Sequence, residues 1–193
     1  FEAHDNFSIY EKHNLSKSIK TLLYAGRLGE EKNLRLLLNA YKIVEKKFPN
    51  THLFLAGDGV LKDKLKQLSS QLGIDSKTTF LNFLDRQTLS QYYKETDIFV
   101  FPSLTETQGL VLIEVMINKT AVVAMNEGGV LSIIEDNKNG LLSSNNVEEF
   151  AGCIMKLLND EALLKRLSQQ GYEDALKMSS AKSTLDRKST RLN

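Results

Sequence analysis

Short apolar runs alternate with helical periods about six times along this chain, and that alternation constrains its fold more than any other feature. Ile19–Ala25, His52–Ala56, Thr78–Phe83, Asp97–Phe101, Ala121–Met125 and the short Gly140–Ser143 read as strands. Leu34, Leu37, Leu38, Tyr41 and Val44 mark an amphipathic helix, capped by Asn33 and stopped at Phe48-Pro49-Asn50. Leu61, Leu65, Leu68 and Leu72 mark a second helix, ended by Gly73. Further helices are expected over Arg86–Lys94, Gly109–Ile117 and Val130–Glu135, and over Val147–Met178 with a break near Asn159-Asp160. The run before Pro102 is apolar throughout, as central parallel strands are. The pattern predicts one doubly wound, Rossmann-like α/β domain over residues 19–178, with a parallel sheet of about six strands. Residues 1–18 are expected to be an entry segment or linker, and residues 179–193 a loose polar tail.

At 193 residues and 41% hydrophobic, the chain can bury one sizeable core. A net charge of +1 gives no bulk electrostatic reason to bind nucleic acid. The single cysteine, Cys153, excludes an internal disulfide framework and suits a reducing compartment. No apolar run approaches the roughly 20 residues a membrane helix needs. The sequence begins at Phe1, without a methionine, and is expected to be a fragment.

In a doubly wound sheet, ligands bind beyond the carboxyl ends of the strands, where strand order reverses. The post-strand loops therefore carry the candidate chemistry. The first contains Gly26, Arg27 and Lys32, and two cations past one strand end suit a diphosphate. Taken singly, each reads better as solvated surface charge. The second, Gly57-Asp58-Gly59, lets backbone approach a ligand closely or simply makes a tight turn. The fourth is the richest. Gly109 opens a helix whose free N–H groups and dipole favour an anion, and Glu106 lies just outside that end. Glu114 follows inside a run of Leu, Val, Ile and Met, where a buried carboxylate is expensive unless something binds it. Helical side chains lean toward the N-terminus, so both carboxylates can serve one hydroxyl-rich ligand. The competing readings are an ion pair for Glu114 and helix-end stabilisation for Glu106.

Gly-Arg-Leu-x-x-Glu-Lys-Asn from Gly26, Ala-Gly-Asp-Gly from Ala56, and Phe-Pro-Ser-x-x-Glu-x-x-Gly-Leu-x-x-x-Glu from Phe101 occur in order over about Thr21–Leu142. This ordered set resembles glycosyltransferase family 4, a retaining family with the GT-B fold. The resemblance implies that the chain is the C-terminal, donor-binding half of such an enzyme. It would transfer a hexosyl group from a nucleoside diphosphate sugar, with UDP as the prior, to a hydroxyl acceptor. Arg27 and Lys32 would hold the diphosphate and, with Glu106, count as catalytic. Glu114 would take the ribose hydroxyls and Glu106 the sugar. The backbone of Gln108, Gly109, Leu110 and Val111 would cradle sugar and phosphate. Gly26 would belong to the same donor site, and Gly57, Gly59 and Leu84 would flank the base. The resemblance implies no metal and no cofactor.

It also implies partners absent from this chain: an N-terminal acceptor half, a glycan or lipid-linked acceptor, and peripheral membrane contact through that half. The chain alone is expected to transfer little. Thr105-Glu106-Thr107-Gln108-Gly109 resembles members that act in cell-envelope or capsular polysaccharide or glycolipid synthesis. The expected location is the cytoplasm, with the inner face of the membrane left open. Departures from the pattern fall at turns: Lys119 and Asn82 stand where glycine is common, and Ala121 replaces a proline. Two other classes compete. One is a non-catalytic nucleotide-sugar-binding module. The other is an NAD(P)-dependent oxidoreductase, which needs a glycine fingerprint where Arg27 stands.

Overall fold

The structure, a computed structural model, describes residues 8–189. Six strands, β1 (Lys20–Ala25), β2 (Thr51–Ala56), β3 (Thr78–Leu81), β4 (Ile98–Phe101), β5 (Ala121–Met125) and β6 (Leu141–Ser143), form one sheet in the order β3-β2-β1-β4-β5-β6. Every pairing is parallel. The central strands are buried along nearly their whole length, whereas β3 and β6, at the edges, are buried only in part. That is why β1, β2, β4 and β5 read as unbroken apolar runs. The helices are α1 (Ile9–Lys12), α2 (Leu34–Lys47), α3 (Lys62–Gln71), α4 (Arg86–Glu95), α5 (Leu110–Ile117), α6 (Val147–Asn159) and α7 (Glu161–Ser189). On one face α2 packs against α3 and α6; on the other α5 packs against α7.

Strand order reverses between β1 and β4. These two strands pair only through Leu22 with Ile98 and Leu23 with Phe99, although both run on toward the carboxyl edge. The last residues of each therefore separate, and a crevice opens at the switch point.

Several expectations are corrected. Residues 8–18 are no linker: Ile9 is fully buried in the core. Glu95 Oε2 accepts hydrogen bonds from Ser8 Oγ and the Ile9 N–H, each at 3.0 Å. His13 Nε2 lies 2.7 Å from Tyr92 Oη, and its ring packs on Phe54. An isolated apolar residue in a polar stretch has no period to reveal it. Helix α7 continues through Ser189 instead of ending at Met178. Asn33 precedes α2 but does not cap it; its backbone is left-handed, and its side chain donates to Asn145 Oδ1 at 3.0 Å. The third strand stops at Leu81, and the short helix after Gly128-Gly129 is a 3-10 turn over Gly128–Ser132. Residues 1–7 and 190–193 lie outside the described residues.

Lys119 has a left-handed φ of 59°, as a glycine replacement in that turn requires. Its ammonium sits 4.7 Å from the centroid of the Tyr172 ring, a cation–π contact that offsets part of the strain. Asn82 keeps an ordinary backbone, and its side-chain oxygen accepts from Lys62 Nζ at 2.6 Å.

Candidate functional site

The crevice between β1 and β4 deepens into a cavity of about 750 Å³, within the range of small-molecule sites. Its floor is the strand ends themselves, including Tyr24, Ala25, Ala56 and Phe101. Its rim comes from the loops that follow β1, β2, β3 and β4.

The first two loops hold each other in place. Gly26 N–H donates to the Ala56 carbonyl at 3.0 Å, and Leu28 N–H donates to the Asp58 carbonyl at 2.9 Å. Gly57 has φ +136°, and a Cβ there would collide with the Gly26 carbonyl oxygen. A Cβ at Gly59 would collide with the Leu28 carbonyl. The Gly57-Asp58-Gly59 sequence thus serves loop-to-loop packing, while Gly57 and Asp58 also line the cavity. Tyr24 Oη donates to the Arg27 carbonyl at 2.8 Å and fixes the turn that carries Arg27. Arg27 is exposed and Lys32 half-buried, both on the cavity wall. Lys32 Nζ reaches Ser103 Oγ at 3.5 Å, which ties the first loop to the fourth.

In the fourth loop, Glu106 Oε1 accepts the backbone N–H groups of Gln108 at 3.1 Å and Gly109 at 2.9 Å. Burial pushes the Glu106 carboxyl up; the N–H groups of Gly109 and Gln108, with Lys32 nearby, outweigh that and hold it below its ordinary value. It is therefore a carboxylate at neutral pH. Gly109 has φ +58°, and a Cβ there would displace Ile133 Cδ1, so glycine is favoured at this helix start. The loop is held from the far side by the Gly129 N–H, which donates to the Glu106 carbonyl at 2.7 Å.

Glu114 departs from expectation. Helix α5 is apolar on all sides but not buried on all sides. Leu110 is exposed, and the Glu114 side chain, 46% exposed, lines the cavity. Its Oε1 lies 3.5 Å from a guanidinium nitrogen of Arg86, itself largely exposed. In the free domain the ion-pair reading of Glu114 holds, and Glu106 makes no cap bond to α5 itself but holds the turn just before it. Neither excludes ligand binding, because an exposed pair is weak and Glu106 Oε2 takes part in neither backbone bond.

Of the residues singled out from sequence, the cavity brings together Gly26, Arg27, Lys32, Gly57, Leu84, Glu106, Val111 and Glu114. Gly59, Gln108, Gly109 and Leu110 do not line it; Gln108 and Gly109 stand behind it as the donors that orient Glu106. Sequence reading put Phe83 and Arg86 in a candidate post-strand loop, Phe83–Gln87, without a role, and missed Tyr93. Phe83 lines the cavity and is 82% exposed. It looked like the end of a strand, although that strand stops at Leu81. Tyr93 and Arg86 lie on α4, whose register toward the cavity no local pattern discloses. Among the described residues no group of His, Cys, Asp and Glu is placed to hold a metal ion.

A family model described as "Glycosyl transferases group 1" matches residues 5–174. An uncharacterized glycosyltransferase of Methanocaldococcus jannaschii is 34% identical over 180 residues, covering 87% of this chain and 46% of that protein. The chain thus spans about half the length of that relative. Among solved structures, the C-terminal domain of the group 1 glycosyl transferase LpcC from Francisella tularensis matches with a TM-score of 0.77 and 27% identity, covering 82% of this chain and 85% of that one. A Staphylococcus aureus TarM mutant, crystallised with fondaparinux, alpha-GlcNAc-glycerol and UDP, matches with a TM-score of 0.83 and 27% identity, over 91% of this chain and 36% of that one.

Proposed function

The chain belongs to the group 1 glycosyl transferases, and from that premise we propose that it is the donor-binding half of a retaining hexosyltransferase. The donor is a nucleoside diphosphate sugar, UDP-linked, and the acceptor a hydroxyl of a glycan or lipid-linked substrate in envelope polysaccharide or glycolipid synthesis. One observation carries this reading: Arg27, Lys32, Glu106 and Glu114, far apart in sequence, line one cavity where strand order reverses. UDP bound to the similar TarM structure supports the choice of nucleotide.

In this reading the diphosphate lies against Arg27 and Lys32. When the glycosidic bond breaks, negative charge grows on the diphosphate oxygens, and two cations on the cavity wall lower that barrier. No metal ion or cofactor is invoked; the cations take that part. Glu114 accepts the ribose hydroxyls, exchanging the weak Arg86 pair for them. Glu106, aimed by two backbone N–H groups through Oε1, offers Oε2 to hydroxyls of the transferred sugar. The acceptor is held by a second, N-terminal half, and that half carries any peripheral membrane contact; this chain without it transfers little.

Calorimetric titration with UDP, GDP, ADP and their sugars tests the proposal. UDP-sugar binding that Glu114→Ala weakens is the expected result. Absence of binding to every nucleotide, or binding that Arg27, Lys32 and Glu114 substitutions leave untouched, overturns it.

A further inference from the structure

Tyr93, on α4, is 3% exposed, and its ring meets Phe99 edge-on with centroids 5.8 Å apart. Its hydroxyl is buried and has no hydrogen-bond partner among the described residues. An unpaired buried hydroxyl is costly, and native proteins keep few of them. Only one other described side-chain atom shares this state, Thr96 Oγ1, and Thr96 does not line the cavity. Tyr93 does, in the same wall as Glu114. Burial, and then the Glu114 charge, push the phenol pKa up, so it remains an O–H donor at neutral pH.

We propose that the Tyr93 hydroxyl is a ligand-binding group that donates a hydrogen bond to a ribose hydroxyl of the bound nucleotide, beside Glu114. The assignment rests on the nucleotide reading above and deepens it. A ribose hydroxyl is at once donor and acceptor. It gives its proton to the Glu114 carboxylate and receives the Tyr93 proton on its oxygen, so both protein groups are satisfied together. A deoxynucleotide lacking that hydroxyl leaves Tyr93 orphaned. Sites that hydrogen-bond a substrate hydroxyl reject analogues without it far more strongly than apolar pockets reject a methylene. Tyr93 therefore acts as a determinant of ribose over deoxyribose, and its orphan hydroxyl is a stability cost held for binding.

The test uses Tyr93→Phe, which removes the hydroxyl and keeps the ring against Phe99. UDP, 2′-deoxy-UDP and 3′-deoxy-UDP are titrated calorimetrically into the unsubstituted chain, Tyr93→Phe and Glu114→Ala, and the ligand-free proteins are melted. Tyr93→Phe is expected to lose about tenfold in UDP affinity. One of the two deoxynucleotides should bind it as well as it binds the unsubstituted chain. The ligand-free variant should melt at the same or a higher temperature. Unchanged UDP affinity, equal losses for all three nucleotides, or a lower melting temperature overturns the role. If the unsubstituted chain binds none of the nucleotides, the functional reading falls and this inference with it. If UDP binds and Glu114→Ala weakens it while Tyr93→Phe does not, only the Tyr93 assignment fails.

Discussion

Replacing Glu106 by alanine separates its two jobs. In the free domain its Oε1 accepts the N–H groups of Gln108 and Gly109 at 3.1 and 2.9 Å, at the start of α5. Both donors lie in the turn just before the helix, and losing a charged acceptor for two backbone N–H groups costs about 1–2 kcal/mol. For a domain of this size each kcal/mol lowers Tm by roughly 2–4 °C. Thermal and urea denaturation at pH 7 should show the loss. The pH dependence follows from the depressed carboxyl pKa. The unfolded glutamate titrates near about 4.3. The carboxylate's stabilisation is therefore complete above that value and is lost as pH falls through the lower, folded pKa. The gap between the original chain and Glu106→Ala should narrow in acid. Equal stability at pH 7, or a gap that widens as pH falls, refutes the role of these two bonds in holding the turn. The same variant should weaken UDP-sugar binding more than UDP binding; equal losses argue against the sugar contact.

Burial lowers the His52 pKa to about 4, from an unfolded value near about 6.5. A lowered histidine pKa makes stability fall as pH drops from about 6.5 to 4, by at most about 3 kcal/mol; His52→Gln should flatten that limb of a denaturation curve. Lys119→Ala keeps the left-handed strain and loses the Tyr172 contact, so it should cost about 0.5–1 kcal/mol in urea unfolding, while Lys119→Gly stays within about 0.5 kcal/mol because relief of strain offsets both the lost Tyr172 contact and the added chain entropy. Gly57→Ala meets the Gly26 carbonyl at φ +136°. It should cost more than about 1 kcal/mol and also weaken nucleotide binding, because it displaces the loop that carries Arg27.

The alternation of strands and helices was legible because burial on both faces makes central strands apolar end to end. Ala121–Met125 is observed with the bounds expected from sequence, and the break near Asp160 separates α6 from α7. Short-range chemistry was legible too: Arg27, Lys32, Glu106 and Glu114 all reach one cavity. What sequence could not disclose is what faces what. Glu114 looked buried because its helix neighbours are apolar, yet one stripe of α5 turns to the crevice. Gly59 looked like a ligand contact, but the space its side chain would fill belongs to Leu28. Ile9 carries no periodic signal, and its burial depends on Glu95, far along the chain, accepting its N–H. Arg86 and Tyr93 come to the site through the placement of α4, a tertiary fact.

The most direct test of the donor-site assignment is a crystal structure of the chain soaked with UDP. The account predicts the diphosphate against Arg27 and Lys32 and the ribose within hydrogen-bond distance of Glu114, with Arg86 released from that carboxylate. UDP bound outside the β1–β4 crevice, or inside it with the ribose away from Glu114, contradicts the account.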